Sequence, residues 1–397
     1  MTYVDGPLKG LKVLDFSTLL PGPYATMLLA DMGAEVLRIE SPTRPDMLRG
    51  LPPMVGEDQS VSAAHASINR NKQSLALDLK DPRAGEIVRR LLVDYDIVVE
   101  QFRPGVMGKL GLGYETLRKT RADLIYCSIT GYGQTGPLRQ RAGHDINYLA
   151  LAGLASYSGR EYSGPSLSGT QIADIAGGSH HAVMGILAAV YQRQQSGRGS
   201  HIDISMTDCA FALNAISGAN ALAGAGDPEL EKELLNGGSY YDYYRTADNR
   251  YLSVGSLEPQ FAEQFFRVIG HPEWLQRVLQ ADQQQPLKRD IADTIAQGTL
   301  DDWMRLFDAC DACVEPVLTF SEAAASALMA ERQMLCEAVL PDGSSQQQIN
   351  TPLTFDGHRP RRHTAGAPLG GDTHQLLNAL GYTQEEIEQM QLQGVIA

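Results

Sequence analysis

The fold of this chain is decided by LKVLDFSTLLPGPYATMLLADMGAEVLRIE, residues 11–40. LKVLDFS (11–17) and AEVLRIE (34–40) are short runs of large apolar residues, typical of buried strands. Between them, LLPGP is turn-like, and YATMLLADMG repeats its apolar residues at helical spacing. A strand, a helix and a strand within about thirty residues form a βαβ unit, which predicts a parallel sheet with right-handed crossovers.

The same alternation continues along the chain. Strand-like runs recur in SLALDLK (74–80), DIVVEQF (96–102), DLIYCSI (123–129) and HIDISMTD (201–208). A long helix is predicted over 178–199, where basic residues and glycine close an apolar run. Residues 236–325 have strand and helix signals of their own, and the tail has two helical pieces. We therefore predict an α/β protein with a second, smaller α/β domain and a tail that packs on the first.

Length and charge limit the function classes. A chain of 397 residues exceeds one ordinary core, which favours two or three domains. The net charge of −14 argues against general nucleic-acid binding, which needs a basic face. An anionic ligand would therefore need a local cluster of cations.

Neither the N-terminus nor the cysteines point to a membrane, a disulfide framework or a metal. MTYVDGPLKG (1–10) lacks the regions of a signal peptide, and the longest apolar run is too short to span a bilayer. Five cysteines, an odd and small number, fit a reducing compartment. Cys310 and Cys313 have CxxC spacing without a second pair at zinc spacing, which favours packing over redox or metal work. We expect a cytoplasmic protein that binds neither metal nor membrane.

Two features could indicate a phosphate-bearing ligand. GYGQTGP (131–137) fits GxGxxG, but no helical pattern follows it, so a glycine-shaped loop is favoured over a dinucleotide site and a nicotinamide oxidoreductase is disfavoured. Basic residues also follow the early strands, where ligands of open α/β sheets gather. They suit a phosphate or are simply solvated, and they are Arg70, Lys72, Lys80, Arg103 and Lys109.

Several polar residues are candidates for acid/base chemistry. His144 and Asp145 open GHDINYLALAG (143–153), either as the cap of a helix or as a catalytic pair. Asp174 is either an N-cap or a carboxylate presented beside the amides of Gly177, which could hold an oxyanion. A helix N-terminus would lower its pKa and burial would raise it, and both directions stay open here. Glu258 follows a strand-like run at a turn, where a carboxylate is solvent-facing or catalytic.

Taken together, the chain resembles the class III CoA-transferase (CaiB/BaiF) family over nearly its whole length. The stretches that carry the resemblance are long and specific: PLKGLKVLDFSTLLPGPYATMLLADMGAEVLRIESP (7–42), NRNKQSLALDLK (69–80), VVEQFRPGVMGKLGLGYE (98–115), LIYCSITGYGQTGP (124–137) and DIAGGSHHAVMGILAAVYQRQQSGRGSHIDISMTD (174–208).

Within that family, the chain is most similar to the α-methylacyl-CoA racemases. Transferases of the family use the aspartate, here Asp174, as an acyl-carrying nucleophile and usually show an aromatic residue at the position of His144. AGHDINY (142–148), GGSYYDYY (237–244) and the EPQF turn (258–261) match the racemases instead. The resemblance implies inversion of C2 in 2-methylacyl-CoA thioesters by 1,1-proton transfer through an enolate. The alternatives are a CoA transferase acting between carboxylic acids and a non-catalytic CoA-binding protein.

The resemblance also implies roles for particular residues. His144 and Asp174 would be the acid/base pair that inversion requires, one on each face of the carbon. Asp145 would bond near the thioester or orient the site, and Glu258 would orient His144. No cofactor is implied beyond CoA as part of the substrate. The residues implied in CoA binding are Leu77, Asp78, Leu79, Lys80, Glu100, Gln101, Phe102, Lys109, Gly143, Ile146, Asn147 and Tyr148.

One position departs from the family. Relatives commonly carry an arginine beside the adenine directly after the second strand's acidic residue, and this chain has Ser41, with Arg44 as a candidate substitute. The family fold is an interlocked homodimer. It implies a large Rossmann-like domain from 1–205 and 330–397, a linker at 206–235 and a small α/β domain at 236–329.

Overall fold

The structure is a computed structural model that describes residues 6–360 and 362–397. The first half of MTYVDGPLKG, considered above for a targeting signal, lies outside the described residues. The chain divides into two compact units. The first comprises the described residues up to Ala152, together with Gly169–Ala212 and Ala327–Ala397, and the second comprises Gly153–Ser168 and Leu213–Ser326.

The strands are short, as is usual for an α/β protein. In chain order they are β1 Lys12–Asp15, β2 Glu35–Glu40, β3 Met54–Val55, β4 Val61–Ser62, β5 Lys72–Ala76, β6 Ile97–Glu100, β7 Ile125–Thr130, β8 Gly159–Arg160, β9 Gly164–Pro165, β10 Ser200–Ser205, β11 Asp242–Arg245, β12 Tyr251–Val254, β13 Val314–Pro316, β14 Leu335–Val339, β15 Ser345–Ile349 and β16 Arg362–Thr364.

The helices alternate with the strands in the N-terminal half. The α-helices are α1 Pro21–Asp31, α2 Ala63–Ile68, α3 Ala84–Leu91, α4 Val106–Lys109, α5 Tyr114–Leu117, α6 Asp145–Leu151, α7 His180–Ser196, α8 Met206–Ala212, α9 Ser217–Asn220, α10 Pro259–Val268, α11 Gln284–Ile295, α12 Leu300–Phe307, α13 Phe320–Ala325, α14 Ala327–Glu331, α15 Thr373–Ala379 and α16 Gln384–Leu392. Shorter 3₁₀ turns span Met47–Gly50, Leu154–Tyr157, Pro272–Arg277 and Ala281–Gln283, and π-helical segments span Ala173–Ser179 and Ala221–Ala225.

The first unit is built on a parallel sheet with the strand order β10-β7-β6-β1-β2-β5. The predicted α/β fold with a parallel central sheet is therefore confirmed. The central strands are buried because helices cover both faces of such a sheet, which is why they appear in the sequence as continuous apolar runs. The predicted long helix is present as α7, and Gly197 ends it at a φ of 68°.

The C-terminal segment contributes to the core of the first unit. Leu377 of α15 and Ile387 of α16 are buried in the same cluster as Leu75 and Ile87. The backbone N–H of Asp78 donates to the carbonyl of Val395 at 2.8 Å, so the chain end is fixed beside the end of β5.

The second unit has its own aromatic core. β11, β12 and β13 form an antiparallel sheet, and Phe265, Phe266, Trp303 and Tyr240 pack with it. Across the part of the chain that the structure describes, no helix is both long and apolar enough to cross a membrane.

Candidate active site

The first unit has a cavity at the point where the strand order of its parallel sheet reverses. β1 has β2 on one side and β6 on the other, so the loops that follow β1 and β6 diverge. A cavity of about 530 Å³ occupies this point. The end of β7 and the segments that follow β1, β6 and β7 contribute to its lining, with Leu19, Leu20, Pro21, Gln101, Phe102, Arg103, Pro104, Ile129, Thr130, Gly131 and Tyr132. This is where open α/β sheets bind ligands.

His144 enters the cavity from the start of α6. It directly precedes the helix, and its backbone N–H donates to the side-chain oxygen of Asn147 at 3.0 Å. In return, the N–H of Asn147 donates to the carbonyl of His144 at 2.8 Å. The residue therefore occupies the cap position that the local pattern predicts, and its exposed imidazole also lines the cavity.

Asp174 lines the same cavity from the π-helical segment that precedes α7. Its backbone N–H donates to a carboxylate oxygen of Asp145 at 3.0 Å. Burial raises the pKa of Asp174 to about 6, the negative charge of Asp145 acts in the same direction, and His144 opposes both. The sequence leaves the direction of the pKa shift open, and in the structure the upward effect of burial is the larger one. A carboxyl group with this pKa can both accept and donate a proton near neutral pH.

Close packing explains Gly178, the second of the two glycines that follow Asp174. A Cβ at Gly178 would lie 3.1 Å from Cγ of Met206 and 3.3 Å from Cβ of Pro21. The hydroxyl of Ser179 donates to the carbonyl of Pro21 at 2.7 Å. The segment that carries Asp174 is therefore held against the starts of α1 and α8. Gly177 is not among the residues that line the cavity.

Glycines in GYGQTGP and GHDINY make room for two tyrosines. A Cβ at Gly131 would lie 2.5 Å from the ring of Tyr148, and one at Gly143 would lie 2.5 Å from the hydroxyl of Tyr132. The two rings meet edge to face with centroids 5.3 Å apart, and Tyr148 Oη donates to the carbonyl of Gly143 at 2.6 Å. These glycines thus shape the wall of the cavity.

The residues predicted to bind CoA separate into two groups. Those that line the cavity with His144 and Asp174 are Gln101, Phe102, Gly143, Asn147 and Tyr148. Those that do not are Leu77, Asp78, Leu79, Lys80, Glu100, Lys109 and Ile146.

The second group has several kinds of surroundings. Leu77 is fully buried and Lys80 is exposed, both after the end of β5. Lys109 and Ile146 are exposed. Glu100 is 4% exposed at the end of β6, where burial raises its pKa to about 7. Its carboxylate accepts the backbone N–H of Phe102 at 2.8 Å, so it shapes the loop that lines the cavity.

Gln101 connects the two loops that diverge at the reversal point. Its side-chain oxygen accepts the backbone N–H of Gly22 at 3.1 Å, and its side-chain nitrogen donates to the carbonyl of Thr18 at 2.6 Å. Gln101 is predicted to contact the ligand, but its side-chain amide forms hydrogen bonds with the protein through both its oxygen and its nitrogen.

Three arginines supply the local cation cluster that an acidic protein needs for an anionic ligand. Arg103, Arg139 and Arg141 line the cavity and are exposed. The described residues provide none of them with an ion pair. The sequence pattern indicates Arg103 as a cation after a strand, whereas it does not single out Arg139 or Arg141.

Two other cations, which the sequence pattern places after strands, are structural. The placement is wrong for both, because Arg70 precedes β5 and Lys72 is its first residue. Arg70 pairs with Asp31 at 2.5 Å, and Lys72 lies 3.3 Å from a carboxylate oxygen of Asp15. All four side chains are buried. They stabilise the interior of the first unit.

Glu258 and the CxxC pair lie in the second unit. Glu258 is exposed and directly precedes α10. Its role in orienting His144 stays a prediction. Cys310 and Cys313 are free thiols. Among the described side chains, no group of three or more His, Cys, Asp or Glu residues could hold a metal ion.

Comparison with known proteins identifies the family to which the chain belongs. The model of CoA-transferase family III matches residues 8–373. Human alpha-methylacyl-CoA racemase is 35% identical over 98% of this chain and 97% of its own length. Human succinyl-CoA:glutarate CoA-transferase is 31% identical over 98% of this chain and 90% of its own.

Solved structures agree with the sequence comparison. A CAIB/BAIF family protein from Brucella suis superposes with a TM-score of 0.82 and 27% identity, covering 95% of this chain and all of the other. The fold and the family are thus established by independent likenesses, while both racemases and transferases are among the relatives.

Proposed function

On the premise that the chain belongs to CoA-transferase family III, we propose that it is a racemase that inverts C2 of 2-methylacyl-CoA thioesters. The observation that carries the proposal is that His144 and Asp174 line one cavity. A transferase needs the carboxylate alone, whereas inversion needs two proton carriers.

The proposed reaction is a 1,1-proton transfer. One of the two residues removes the proton from C2, the electrons of the broken C–H bond move into the thioester as an enolate, and the other residue returns a proton to the opposite face. The pKa of Asp174, near 6, suits this exchange because the carboxyl group is available in both protonation states close to neutral pH. Asp145 keeps the backbone of Asp174 in place.

The remaining parts of the proposal concern binding and assembly. Arg103, Arg139 and Arg141 offer charge to the phosphates of CoA, which enters as part of the substrate rather than as a separate cofactor. We extend the proposal to an interlocked homodimer in which Glu258 orients His144, as the family resemblance implies.

A CoA transferase is the second candidate. In that reaction the carboxylate of Asp174 would attack the thioester carbon and displace CoA as a thiolate, leaving a mixed anhydride. The thiolate would then attack the aspartyl carbonyl and release the donor acid. The second acid would attack the resulting aspartyl-CoA thioester, and the displaced thiolate would take the new acyl group from the second anhydride and free Asp174. The relatives named as transferases, at 31% identity, favour it, and so does the place of Asp174 in the cavity.

Deuterium exchange separates the two candidates. A racemase incubated with a (2R)- or (2S)-methylacyl-CoA in deuterated water incorporates deuterium at C2, measured by mass spectrometry. His144→Ala should abolish the exchange from at least one epimer, whereas His374→Ala, which removes an exposed histidine on α15, should not. A wild type that exchanges nothing, passes CoA to a free acid and acquires a hydroxamate at Asp174 when incubated with acyl-CoA and hydroxylamine would establish the transferase instead.

A further inference from the structure

One buried hydroxyl group of the cavity wall has no partner in the protein. Thr130 ends β7, is 7% exposed and is one of the residues that line the cavity. Its hydroxyl oxygen makes no hydrogen bond with any of the residues 6–360 and 362–397. Of the buried side-chain atoms left unsatisfied in this part of the chain, it alone belongs to a residue of the cavity wall. Buried polar groups usually have partners, so this hydroxyl requires an explanation.

Three other neutral polar side chains near the cavity are already hydrogen-bonded to the protein. The amide of Gln101 bonds to Gly22 and Thr18, and the hydroxyl of Tyr148 bonds to Gly143. Thr207, close in space to Thr130 through the pairing of β7 with β10, donates its hydroxyl to Gly131 at 2.6 Å. The contrast marks the hydroxyl of Thr130 as the buried one left for a ligand.

We infer that Thr130 binds an amide group of the pantetheine chain of acyl-CoA. The inference rests on the proposed function only in taking acyl-CoA as the ligand. A single neutral hydroxyl matches a neutral amide, because it can donate to the amide oxygen or accept from the amide nitrogen. Phosphates instead require the charge that Arg103, Arg139 and Arg141 offer, and the reacting carbon requires the proton carriers His144 and Asp174.

Equilibrium binding to Thr130→Val tests the inference. The valine keeps the shape of the side chain and removes only its hydrogen-bonding group. The dissociation constants of free CoA and of 2-methylpropanoyl-CoA, measured by calorimetry, should both rise about three- to tenfold, the range for one neutral hydrogen bond. Thr130→Ser should bind like the wild type.

The thermal stability of the same variants distinguishes a ligand contact from a structural one. Removing an unsatisfied buried hydroxyl should leave the melting temperature of Thr130→Val unchanged or raise it. Thr373→Val is the matched control, since Thr373 is fully buried outside the cavity wall and accepts the backbone N–H of Ala76 at 3.1 Å. This control should melt earlier and bind both ligands normally.

Several outcomes would overturn the inference. They are unchanged affinities in Thr130→Val, a loss confined to 2-methylpropanoyl-CoA, a melting temperature lowered as in Thr373→Val, or a wild type that binds neither ligand. If Thr130→Val does not fold, Thr130→Ala takes its place in the binding measurement, and unchanged affinities of Thr130→Ala for both ligands would overturn the inference. Failure of the racemase proposal gives a different result. A wild type that binds CoA but does not exchange deuterium at C2 would contradict the racemase proposal, and the binding test of Thr130 could still be carried out.

Discussion

Asp174 donates its backbone N–H to a carboxylate oxygen of Asp145 at 3.0 Å, across 29 positions of sequence. This bond ties the start of α6, where His144 lies, to the π-helical segment that carries Asp174. Asp145 is only 9% exposed, so its charge is poorly screened and contributes to the raised pKa of Asp174. One buried carboxylate therefore affects both the position and the protonation of its neighbour.

Asp145→Asn should move the pH profile of catalysis without dismantling the site. Asparagine keeps an oxygen that can accept the N–H of Asp174 but removes the negative charge. The pKa of Asp174 should then fall from about 6, so the acidic limb of kcat/KM for C2 exchange should shift to lower pH by about one unit.

Asp145→Ala is the comparison, since it removes both the charge and the acceptor. It should lower kcat/KM across the whole pH range as well as shift the limb. An Asp145→Asn profile that coincides with the wild type would show that the charge of Asp145 does not govern the reactive carboxyl group.

Glu100→Gln should change how stability depends on pH. Burial raises the pKa of Glu100 from its ordinary 4.5 to about 7. Between those values the folded protein holds a proton that the unfolded chain has released, so the free energy of unfolding falls as the pH rises. Glutamine stays neutral and can still accept the N–H of Phe102. At pH 8 the variant should be more stable than the wild type by about 3 kcal/mol, an advantage that disappears near pH 4.

Urea unfolding at pH 4, 6 and 8 measures this difference. Glu57→Gln, at an exposed position, is the control and should show no pH-dependent change. A constant difference between Glu100→Gln and the wild type at all three values would mean that Glu100 titrates normally.

The fold was accessible from the sequence because the parallel strands are buried on both faces. Each strand predicted in the first 130 residues has an observed counterpart, from β1 and β2 to β7. The ends of the strands were harder to predict from the sequence. The run 96–102 was predicted as one strand, but β6 ends at Glu100, whose carboxylate bends the next residues by accepting the N–H of Phe102. An apolar pattern does not reveal such a bond between a side chain and the backbone.

The site was accessible in part, for a similar reason. The motifs singled out His144 and Asp174, which line one cavity. The bond between Asp145 and Asp174 and the raised pKa depend on tertiary contact and burial, which local patterns do not contain. Arg139 and Arg141 were missed because a loop arginine has no periodicity that distinguishes a ligand contact from a solvated side chain.

Gly143→Ala should damage the cavity wall through a steric clash. The new Cβ would lie 2.5 Å from the hydroxyl of Tyr132 and 2.7 Å from the ring of Tyr148. Because both tyrosines must move, we expect kcat/KM for C2 exchange to fall at least about tenfold, as small displacements of a site are costly. The melting temperature should fall as well.

A double variant identifies the clash. Tyr132→Phe removes the nearest atom, so Gly143→Ala with Tyr132→Phe should recover part of the activity lost by Gly143→Ala alone. Gly50→Ala, at a site where no atom lies within 4 Å of the added Cβ, is the control and should behave as wild type. Strict additivity in the double variant would exclude the hydroxyl of Tyr132 as the obstacle.

Gln101→Ala should loosen the point at which the strand order reverses. The variant loses the acceptor for Gly22 and the donor to Thr18, which hold the loops after β1 and β6 together. The free energy of unfolding should fall by about 1–3 kcal/mol, because the partner groups are left unsatisfied. The movement should also reach Asp174, since Pro21, next to Gly22, accepts the hydroxyl of Ser179 at the end of the π-helical segment. Chemical denaturation and the kinetics of C2 exchange measure the two effects.

Gln140→Ala is the matched control for this prediction. Gln140 also donates its amide to a backbone carbonyl beside the cavity, that of Pro104 at 2.8 Å, but it is exposed. Water can replace its bond, so its removal should change stability by less than about 0.5 kcal/mol. Gln101→Glu should be worse than Gln101→Ala, because a carboxylate would face the carbonyl of Thr18 without a proton to donate. If Gln101→Ala matches Gln140→Ala in both measurements, the loops are held by packing alone and the two hydrogen bonds of Gln101 are dispensable.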